Sequence, residues 1–565
     1  MDERYHYRFR EPYASPEDGG SPPPRYRQET VDGMLVERDL AVPMRDGVRI
    51  RVDVYRPDTA DIKVPPLIAW SPYGKHSPTK YEYFPGCGVT SKDVSPYAAF
   101  EGPDPLYWVP RGYAVINVDP RGTWHSEGSA TFLSPEEAQD FYDLIEWAGT
   151  QPWSNGKVGL TGVSYLAIAQ WRVAELQPPH LAAINPWEGW TDTYREVVRH
   201  GGIPETWFWP YLQQFMGFST VQVEDLIAET AEHPLYDAFW ESKAAHPERI
   251  TVPAFVVASW TDQGMHLRGT IAGFERLGSR EKWLDVHGRM KWAYYYADES
   301  KQRLQDFFDH FLKGLETGVT SWPRVRLEVR ERYFVGKIVE GDDWPLPETR
   351  YSKLYLDAGQ GTLRPEPSGQ TSTFSYHSLG GGPGPHRATF VYTFPDPIEV
   401  VGHMKLRLFM SAEDSDDLDV FVGVFKRDTQ GNFVYFPHYQ IHDDGPVALG
   451  WIRASHRELD EAASTEFRPV LSHRRERTVQ RGEVVELNIE IWPSGTHFDQ
   501  GEQLVLVVQG TDINRYPKDV LYARHEESVN RGLHRLHTGG PHDSHLLLPL
   551  VAARPSRSTP ASSVG

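Results

Sequence analysis

The sequence predicts an α/β domain followed by an all-β domain, and three observations support this. From about residue 34 to 315, apolar strand-like runs alternate with amphipathic helix-like runs, which is typical of a mostly parallel sheet covered on both faces. After a helix-like segment at 299–316, the pattern changes to short alternating runs separated by Gly, Asp and Pro turns. A chain of 565 residues is also too long for a single core.

The strands predicted for the first domain are short apolar runs. They lie at 67–74, 113–122, 157–162, 181–187, 251–262 and 282–287. A helix over 134–149 begins with Ser134 as a good N-cap and Pro135 at the first helical position. Residues 188–250 interrupt this pattern with helix-like stretches, so we expect a helical cap over the sheet edge where such folds bind ligands.

These patterns divide the chain into five parts. We expect a flexible N-terminal arm (1–30), an α/β domain (31–187 and 251–320), a helical cap (188–250), a β domain (321–552) and a disordered tail (553–565). Many short strands separated by turns predict a sandwich or jelly roll for the β domain.

The composition limits the classes of binding partner and the cellular compartment that we expect for this protein. A net charge of −20 without long Lys/Arg runs argues against binding to nucleic acid. No run of about 18 apolar residues exists, so no membrane partner is expected. The first residues lack the apolar stretch of a secretory signal, and the single cysteine, Cys87, cannot form an intramolecular disulfide. We therefore expect a cytoplasmic protein, and a homo-oligomer stays open.

The stretch "GLTGVSYLAIAQW", residues 159–171, places a serine between a strand and a helix. A sharp strand-to-helix turn exposes the Ser164 hydroxyl, and small neighbours such as Gly162 let the strand and helix backbones approach. The helix N-terminus also offers free N–H groups to a developing oxyanion. Taken alone, the motif fits a nucleophile and an ordinary turn equally well.

The order of two further residues favours the nucleophile. Asp262 follows one predicted strand and His287 follows the next, so both should lie at the same sheet edge as Ser164. The order serine, acid, histidine is that of the α/β hydrolases. Asp262 as a helix cap and His287 as a structural histidine are the alternatives.

Several motifs along nearly the whole chain resemble the family of serine hydrolases that includes cocaine esterases, X-prolyl dipeptidyl aminopeptidases and α-amino-acid ester hydrolases (the CocE/NonD family). They are "MRDGVRIRVDVYRP" (44–57), "SPYGK" (71–75), "VDPRGTWHSEG" (118–128), "GVSYLAIAQW" (162–171), "SWTD" (259–262), "DDWPLP" (342–347), "FDQGEQLVLVVQGTD" (498–512) and "HTGGPHDSHLLLPL" (537–550). The resemblance implies an α/β-hydrolase domain, a helical cap and a C-terminal jelly roll of the galactose-binding type.

The resemblance also implies roles for single residues. Ser164 would be the nucleophile and Asp262 the acid, and the oxyanion hole would be formed by the Tyr73 hydroxyl and the Tyr165 backbone N–H. A plain loop aromatic is the alternative for Tyr73. The last glycine of the family's Gly-x-Ser-Tyr-x-Gly turn is replaced by Ala167.

The histidine is the second departure from the family pattern. The family's Gly-Pro-Trp-x-His motif, laid over "GRMKW", puts Trp292 in the histidine position. We therefore predict His287 as the base, with kcat/KM rising through a pKa of about 6.5. His76 and His125 precede the nucleophile, and His266 is expected on a helix surface, unable to bridge Asp262 to Ser164. A chain that has lost its base is the remaining alternative.

The substrate is less defined by the sequence. Cap residues Trp207, Phe208 and Trp209, together with Trp292, are candidates for an apolar acyl pocket, although the three cap residues fit cap core equally well. Glu188 and Asp192 could hold a substrate ammonium, although a salt bridge to Arg195 would explain them equally well.

We expect hydrolysis of a small-molecule carboxylic ester through an acyl-enzyme. The alternatives are an X-Pro dipeptidyl-peptidase, an amino-acid ester hydrolase, an amide acylase, or a catalytically inactive carbohydrate- or ligand-binding protein. No cofactor is required, and no metal is predicted. The histidines 534, 537, 542 and 545 and the acidic run 414–419 are weak metal candidates, because they lack the ligand spacing of zinc and calcium sites.

Overall fold

The protein is described from a computed structural model that covers residues 6–59, 62–76, 78–380 and 384–553. Its centre is a twisted sheet whose strands, taken in spatial order, are Met34–Pro43, Arg49–Pro57, Ala114–Asp119, Pro66–Trp70, Val158–Val163, Leu181–Trp187, Ala254–Ser259 and Lys282–His287. The first two strands are antiparallel to their neighbours and the other six run parallel. The predicted α/β domain is therefore present, and its parallel strands are continuous buried runs.

Helices cover both faces of this sheet. The α-helices of this part are Pro105–Trp108, Pro135–Gly149, Tyr165–Ala174, Leu267–Arg276, Lys291–Tyr296 and Asp298–Lys313, and short 3₁₀ turns lie at Pro78–Tyr83, Val109–Arg111, Pro247–Arg249 and Val319–Ser321. The helix at 135–149 begins as the sequence indicated, because the Ser134 hydroxyl accepts a hydrogen bond from the Glu137 N–H at 3.0 Å.

Helices are the main regular structure of the segment between the sixth and seventh spatial strands. It contains a π-helical turn at Tyr194–Val198 and helices at Phe208–Met216, Leu226–Glu232 and Ala238–Lys243. It also contains short strands, Arg199–His200 paired with Ile203–Pro204, and Val223–Glu224. These strands are invisible in the residue pattern because two residues are too few to show a period of two.

The N-terminal arm differs from its prediction as a flexible segment. From residue 6 onward it lies against the body: Phe9–Arg10 pairs with Val223–Glu224, and Arg27–Val31 pairs with Met34–Arg38. Backbone hydrogen bonds therefore hold the segments on both sides of the Pro- and Gly-rich stretch 14–26. The predicted tail 553–565 lies, apart from Ala553, outside the described residues.

Beyond residue 320 the described chain is rich in β-strands. They are Val325–Arg332, Val335–Gly341, Arg350–Asp357, Thr362–Arg364, Ser372–His377, Arg387–Thr393, Ile398–Ala412, Asp419–Arg427, Phe433–Val434, Phe436–His438, His442–Gly445, Ala448–Arg453, Val485–Phe498, Gln503–Gln509, Leu533–Thr538 and His545–Ala552, with one 3₁₀ turn at Ala454–His456. Most of the pairings are antiparallel, and these strands enclose a second apolar core that is separate from the core of the α/β part.

The two parts meet next to the C-terminal edge of the parallel sheet. Val325–Arg332 adds to that sheet beside Lys282–His287, and Tyr439 donates its backbone N–H to the Thr261 carbonyl at 2.9 Å. Loops of the β-rich part therefore reach the residues that follow strand Ala254–Ser259. None of the described helices is long and apolar enough to cross a membrane.

Candidate active site

Ser164 occupies the sharp turn between strand Val158–Val163 and helix Tyr165–Ala174. Its backbone has φ 59° and ψ −116°, a left-handed conformation that costs free energy for a residue with a Cβ. The turn is held because the Ser164 N–H donates to the carbonyls of Trp187 and Glu188, both at 3.1 Å. The turn places Ser164 at the sheet edge, where it lines a pocket.

Small residues around this turn allow its backbones to approach. Gly162 has φ 142°, and a Cβ there would lie 2.4 Å from a Leu166 methyl. On the far side of the helix, a Cβ on Gly189 would lie 2.6 Å from the Cβ of Ala167. The methyl group by which Ala167 departs from the family glycine is thus accommodated by a glycine on the facing segment.

His266 and Asp262 complete a hydrogen-bonded chain with Ser164. The Ser164 Oγ lies 3.1 Å from the His266 Nε2, and the His266 Nδ1 lies 2.5 Å from the Asp262 Oδ2. This geometry fits one tautomer, in which Nδ1–H donates to the carboxylate and Nε2 accepts from the serine hydroxyl. All three side chains are buried.

The structure does not bring His287 to Ser164, and this corrects the predicted base. His266 is the residue just before helix Leu267–Arg276, and its ring turns into the site and stacks on Trp190, with ring centroids 5.2 Å apart. The prediction placed it on the helix surface, but at this N-terminal position the side chain faces back toward the strand end. The other two histidines considered as the base have different partners. His76 contacts Lys75, and His125 contacts the Ser21 carbonyl.

His287 instead holds Glu188. Its Nε2 lies 3.0 Å from the Glu188 Oε1, while its Nδ1 accepts the Arg289 backbone N–H at 3.1 Å. These contacts fix the tautomer with the proton on Nε2. Burial lowers the pKa of His287 to about 4, so the ring is neutral at neutral pH.

Asp262 has further partners beyond His266. Gln440, from a loop of the β-rich part, donates its Nε2 to the Asp262 Oδ1 at 2.8 Å, and the Lys291 Nζ lies 3.8 Å from Oδ2. Glu188 lies within hydrogen-bonding reach of the same carboxylate. Burial alone would raise the pKa of Asp262, but His266, Lys291 and these hydrogen bonds outweigh it and lower the pKa to about 2.

The electrostatics keep His266 neutral. Burial is the main cause that lowers its pKa, and Lys291 adds to this, whereas Asp262 opposes both; the pKa falls to about 4. A neutral imidazole next to an ionised carboxylate can accept the proton of a hydroxyl at neutral pH. The arrangement can therefore activate Ser164 through its own side chains.

The two predicted oxyanion donors, Tyr73 and Tyr165, both lie next to Ser164. The Tyr73 side chain is 3 % exposed and lies within hydrogen-bonding reach of the Ser164 side chain. Burial raises its pKa well above the usual value, so the phenol keeps its proton. Tyr165 opens its helix, where the first N–H groups have no partner within the helix, and its own hydroxyl points away to Glu137.

The pocket beside Ser164 is largely apolar, with one acid, Glu101, and one amine, Lys291. Its described lining comprises Tyr73, Phe84, Phe100, Glu101, Ser164, Phe208, Tyr211, Leu212, Phe215, Met265, Lys291, Trp292, Gln440 and Leu521. Glu101 accepts the Trp292 indole N–H at 2.7 Å, and burial raises its pKa to about 8. The predicted residues Phe208 and Trp292 thus line this pocket.

Four other predicted substrate residues are placed elsewhere. Of the described residues, Trp207 and Trp209 do not line the pocket: Trp207 stacks on Tyr211, and Trp209 is buried with its indole bound to Thr230. Asp192 pairs with Arg195 at 2.6 Å. Glu188 faces Asp262 and His287 rather than the pocket.

Two of the weak metal candidates have side-chain partners within the protein. His534 contacts Tyr376, and His537 contacts Ser411. Within the described residues, one group has ligand-like spacing, formed by Asp39, Asp53 and His76, and the Lys75 ammonium already bridges it, at 2.6, 3.0 and 2.7 Å respectively.

Sequence reasoning missed several residues of this site, among them the base His266, the pocket acid Glu101 and the Asp262 partner Gln440. His266 could have been found, because a histidine four residues after an acid at a strand end can turn back onto it. Gln440 carried no signal, since it reaches Asp262 from a loop 178 positions away.

Comparisons with known proteins agree with this architecture. Residues 46–226 match the X-Pro dipeptidyl-peptidase (S15) family, and residues 317–547 match the X-Pro dipeptidyl-peptidase C-terminal non-catalytic domain. The cocaine esterase of Rhodococcus sp. (strain MB1 Bresler) is 28 % identical, over 92 % of this chain and 100 % of that protein.

Two solved structures are similar to this chain along most of its length. An aminopeptidase from the marine sediment archaeon Thaumarchaeota archaeon shares the fold, with 17 % identity, a TM-score of 0.71, and coverage of 94 % of this chain and 96 % of that one. A CocE/NonD family hydrolase from Staphylococcus aureus is 39 % identical, with a TM-score of 0.89, over 94 % of this chain and 97 % of that one. The chain therefore belongs to the CocE/NonD family and is a hydrolase with a distinct C-terminal domain.

Proposed function

We propose that the protein cleaves small-molecule carboxylic esters, with Ser164 as nucleophile, His266 as base and Asp262 as the acid that orients it. The observation that carries this proposal is the continuous chain from the Ser164 Oγ through the His266 imidazole to the Asp262 carboxylate. The three residues follow one another in the order serine, acid, histidine, with the last two only four positions apart.

In the first half-reaction, Ser164 attacks the ester carbonyl. His266 takes the hydroxyl proton at Nε2, and Asp262 stabilises the imidazolium that results. The negative charge that develops on the carbonyl oxygen receives hydrogen bonds from the Tyr73 hydroxyl and the Tyr165 N–H. The imidazolium then gives its proton to the leaving alkoxide, and an acyl-enzyme remains on Ser164.

In the second half-reaction, water resolves the acyl-enzyme. His266, neutral again, accepts a proton from the water as it attacks the acyl carbon. The same two donors stabilise the second oxyanion, and the proton returns to the Ser164 oxygen as the acid product leaves. Every proton in this cycle passes through the His266 Nε2.

The pocket supports a compact aromatic or aliphatic acyl group. Its walls are largely aromatic, from the Tyr73 loop region, the cap and Trp292, and such walls favour apolar groups with flat faces. Similarity to a cocaine esterase over nearly the whole chain favours an ester over an amide. An X-Pro dipeptidyl-peptidase, an amino-acid ester hydrolase and an amide acylase are the alternatives that substrate tests must separate.

A catalytically inactive binding protein is not favoured. A chain without a base was the reason to consider it, and His266 removes that reason because a neutral imidazole lies 3.1 Å from the Ser164 hydroxyl.

We also propose several finer features of the protein. The domain limits expected from the sequence, with a cap at 188–250 and a β domain at 321–552, are kept as proposals. Antiparallel strands around a separate core support a jelly roll of the galactose-binding type. The single cysteine supports a cytoplasmic location. Partners beyond the substrate, including a second copy of the chain, stay predictions.

A fluorophosphonate probe followed by peptide mapping tests the proposal directly. The probe should label Ser164, and Ser164→Ala should abolish both labelling and turnover of aryl esters, a loss of about 10⁴- to 10⁶-fold in kcat. A panel of aryl esters, amino-acid esters and X-Pro amides then ranks the substrate classes by kcat/KM. Turnover by Ser164→Ala above a few per cent of wild type would refute the nucleophile.

A further inference from the structure

Glu188 is a buried acid that the proposed reaction does not use. It follows strand Leu181–Trp187, has φ 51°, and its side chain is fully enclosed. Its backbone carbonyl accepts the N–H of Ser164, so the same residue braces the nucleophile turn. An enclosed acid at this position needs partners for both of its oxygens.

The two oxygens of Glu188 have unequal surroundings. Oε1 receives the Nε2–H of His287 at 3.0 Å. Oε2 has no donor in good hydrogen-bond geometry among the described residues. The Trp187 indole N–H lies near the carboxyl and favours its charged form, but it does not complete a well-aligned hydrogen bond. The other group within hydrogen-bonding reach of the Glu188 carboxyl is a second acid, Asp262.

Two ionised carboxylates cannot form a hydrogen bond, but a carboxylic acid and a carboxylate can. We propose that Glu188 is protonated in the resting enzyme and that its Oε2–H donates to the Asp262 carboxylate, which makes Glu188 a positioning residue for the acid of the triad. His287, protonated on Nε2, holds the Glu188 carbonyl oxygen from the other side. The inference rests on the proposed role of Asp262.

The charges around the pair agree with a single shared proton. Asp262 faces the neutral His266, the amide of Gln440 and the Lys291 ammonium; Glu188 faces Asp262, Lys291 and the neutral His287. A third acid near Lys291, Glu101, has its pKa raised to about 8 and is protonated at neutral pH. One carboxylate therefore balances the Lys291 ammonium, whereas a second would leave an excess negative charge in an enclosed site. Burial first, and the nearby Asp262 second, raise the pKa of Glu188 well above its usual range, while the pKa of Asp262 falls to about 2.

The assignment also gives each hydrogen bond between these side chains one donor and one acceptor. The Arg289 N–H donates to the His287 Nδ1, the His287 Nε2–H donates to the Glu188 Oε1, the Glu188 Oε2–H donates to Asp262, and the His266 Nδ1–H donates to Asp262 from the other side. Asp262 therefore accepts from Gln440, Glu188 and His266 together. This fixes the carboxylate in the orientation that selects the working tautomer of His266.

Infrared difference spectroscopy tests the protonation state on the resting enzyme. Spectra of wild type minus Glu188→Gln should contain the carbonyl band of a protonated carboxylic acid. The band should persist at about pH 9.5, where the pocket acid Glu101, with a pKa of about 8, is ionised. Glu328→Gln is the control, because Glu328 is paired with Arg289 on the other side of His287 and should not change the band. If the wild type has no such band, the proposal fails.

Kinetics test the positioning role. Glu188→Leu removes the donor to Asp262 and should lower kcat by about 10- to 100-fold with little change in KM. Glu188→Gln can present its amide oxygen to His287 and its amide N–H to Asp262, so it should restore most of the loss. Equal losses in the two variants would overturn the proposal. If Glu188→Leu does not fold, the infrared band and the kcat of Glu188→Gln relative to wild type decide.

These outcomes are separable from a failure of the proposed function. If Ser164→Ala retained turnover, the nucleophile assignment would fall, yet the infrared band depends only on the resting carboxyl pair. Conversely, an enzyme that loses all activity in Ser164→Ala but lacks the band keeps its proposed function and loses only the positioning role of Glu188.

Discussion

The imidazole of His266 lies against the carboxylate of Asp262, four residues earlier in the chain, with Nδ1 and Oδ2 2.5 Å apart. Both residues belong to one short connection between strand Ala254–Ser259 and helix Leu267–Arg276. The two partners of a triad are thus supplied by a single loop, and only the serine comes from another part of the chain. The next strand along the chain is Lys282–His287, and the family pattern places the histidine in the segment that follows it. Here that segment supplies no member of the triad.

This relationship predicts a sharp difference between two histidines. His266→Ala should remove turnover as completely as Ser164→Ala, with no further loss in the double variant, because the two side chains act as one unit. His287→Ala should retain the base and lose no more than about tenfold in kcat, since it removes one hydrogen bond to Glu188. Steady-state kinetics on an aryl ester measure both.

His125→Ala serves as the control for histidine removal, because its ring contacts the Ser21 carbonyl away from the site. It should behave as wild type. An inactive His287→Ala beside an active His266→Ala would return the role of base to His287.

The fold could be predicted from the sequence because its signals are local. Continuous apolar strands, a capped helix and the change to short alternating runs each depend on neighbours in the chain, and the parallel sheet follows from them. Ser164 and Asp262 were found for the same reason, as polar residues at strand ends. The Phe9–Arg10 pairing escaped prediction because a strand of two residues carries no periodicity.

The base was misassigned because its location depends on a side-chain direction. The sequence places both His266 and His287 close to strand ends, and nothing in the residue pattern says which ring turns toward Ser164. Packing decides it: His266 stacks on Trp190, whereas His287 lies against Tyr294, with ring centroids 3.9 Å apart. Contacts from distant segments such as Gln440 are likewise invisible to any local pattern.

The phenol of Tyr73 should contribute to kcat and little to KM. Tyr73→Phe removes one of two oxyanion donors, so we expect kcat to fall by about 10²- to 10³-fold. Tyr113→Phe is the matched control, because it deletes a buried hydroxyl that bonds to Asp309 at 2.7 Å, far from the pocket. A Tyr73→Phe enzyme with nearly normal kcat and an altered KM would show that the ring merely shapes the pocket.

The pH dependence of kcat/KM should have its acid limb below pH 6.5. His266 must be neutral to accept the serine proton, and its pKa in the folded protein is lowered to about 4, mainly by burial. Activity is therefore expected to hold as pH falls past the ordinary histidine value of about 6.5 and to decline toward 4. A pH profile from initial rates measures the limb, and a midpoint at or above 6.5 would contradict a buried base.

The same lowered pKa has a consequence for stability. Between about pH 6.5 and 4 the unfolded chain binds a proton at this histidine and the folded chain does not. His266 should therefore contribute to a loss of stability as the pH falls through this range. Denaturant unfolding of wild type and His266→Gln gives the free energy of unfolding at pH 7 and at pH 5. The decrease in this free energy from pH 7 to pH 5 should be smaller for His266→Gln than for wild type.

Lys291 should set the position of the acid limb. Its ammonium lies 3.8 Å from the Asp262 Oδ2 and lowers the pKa of His266. Lys291→Met removes that charge, so the pKa of His266 should rise and the limb should move to higher pH. Lys282→Met is the control, because Lys282 begins the strand that ends at His287 and caps the carbonyls of Phe274 and Leu277. A limb that shifts downward, or shifts equally in both variants, would contradict the electrostatic role.

The close packing of Gly189 against Ala167 predicts a specific pair of stability effects. A Cβ on Gly189 would lie 2.6 Å from the Ala167 Cβ and 2.9 Å from the Ile168 backbone nitrogen, so Gly189→Ala must push on the helix that begins after Ser164. We expect a loss of about 1–3 kcal/mol in the free energy of unfolding, with a lower kcat because the strained turn shifts. Adding Ala167→Gly removes the closest contact and should recover part of the loss. The recovery should be incomplete, since the Ile168 nitrogen stays and a helical glycine itself costs about 1 kcal/mol.

Gly369→Ala, where a Cβ meets no atom within 4 Å, is the control. Thermal unfolding and kcat measured on the four proteins decide, and a double variant no better than Gly189→Ala would show that Ala167 is not what Gly189 accommodates.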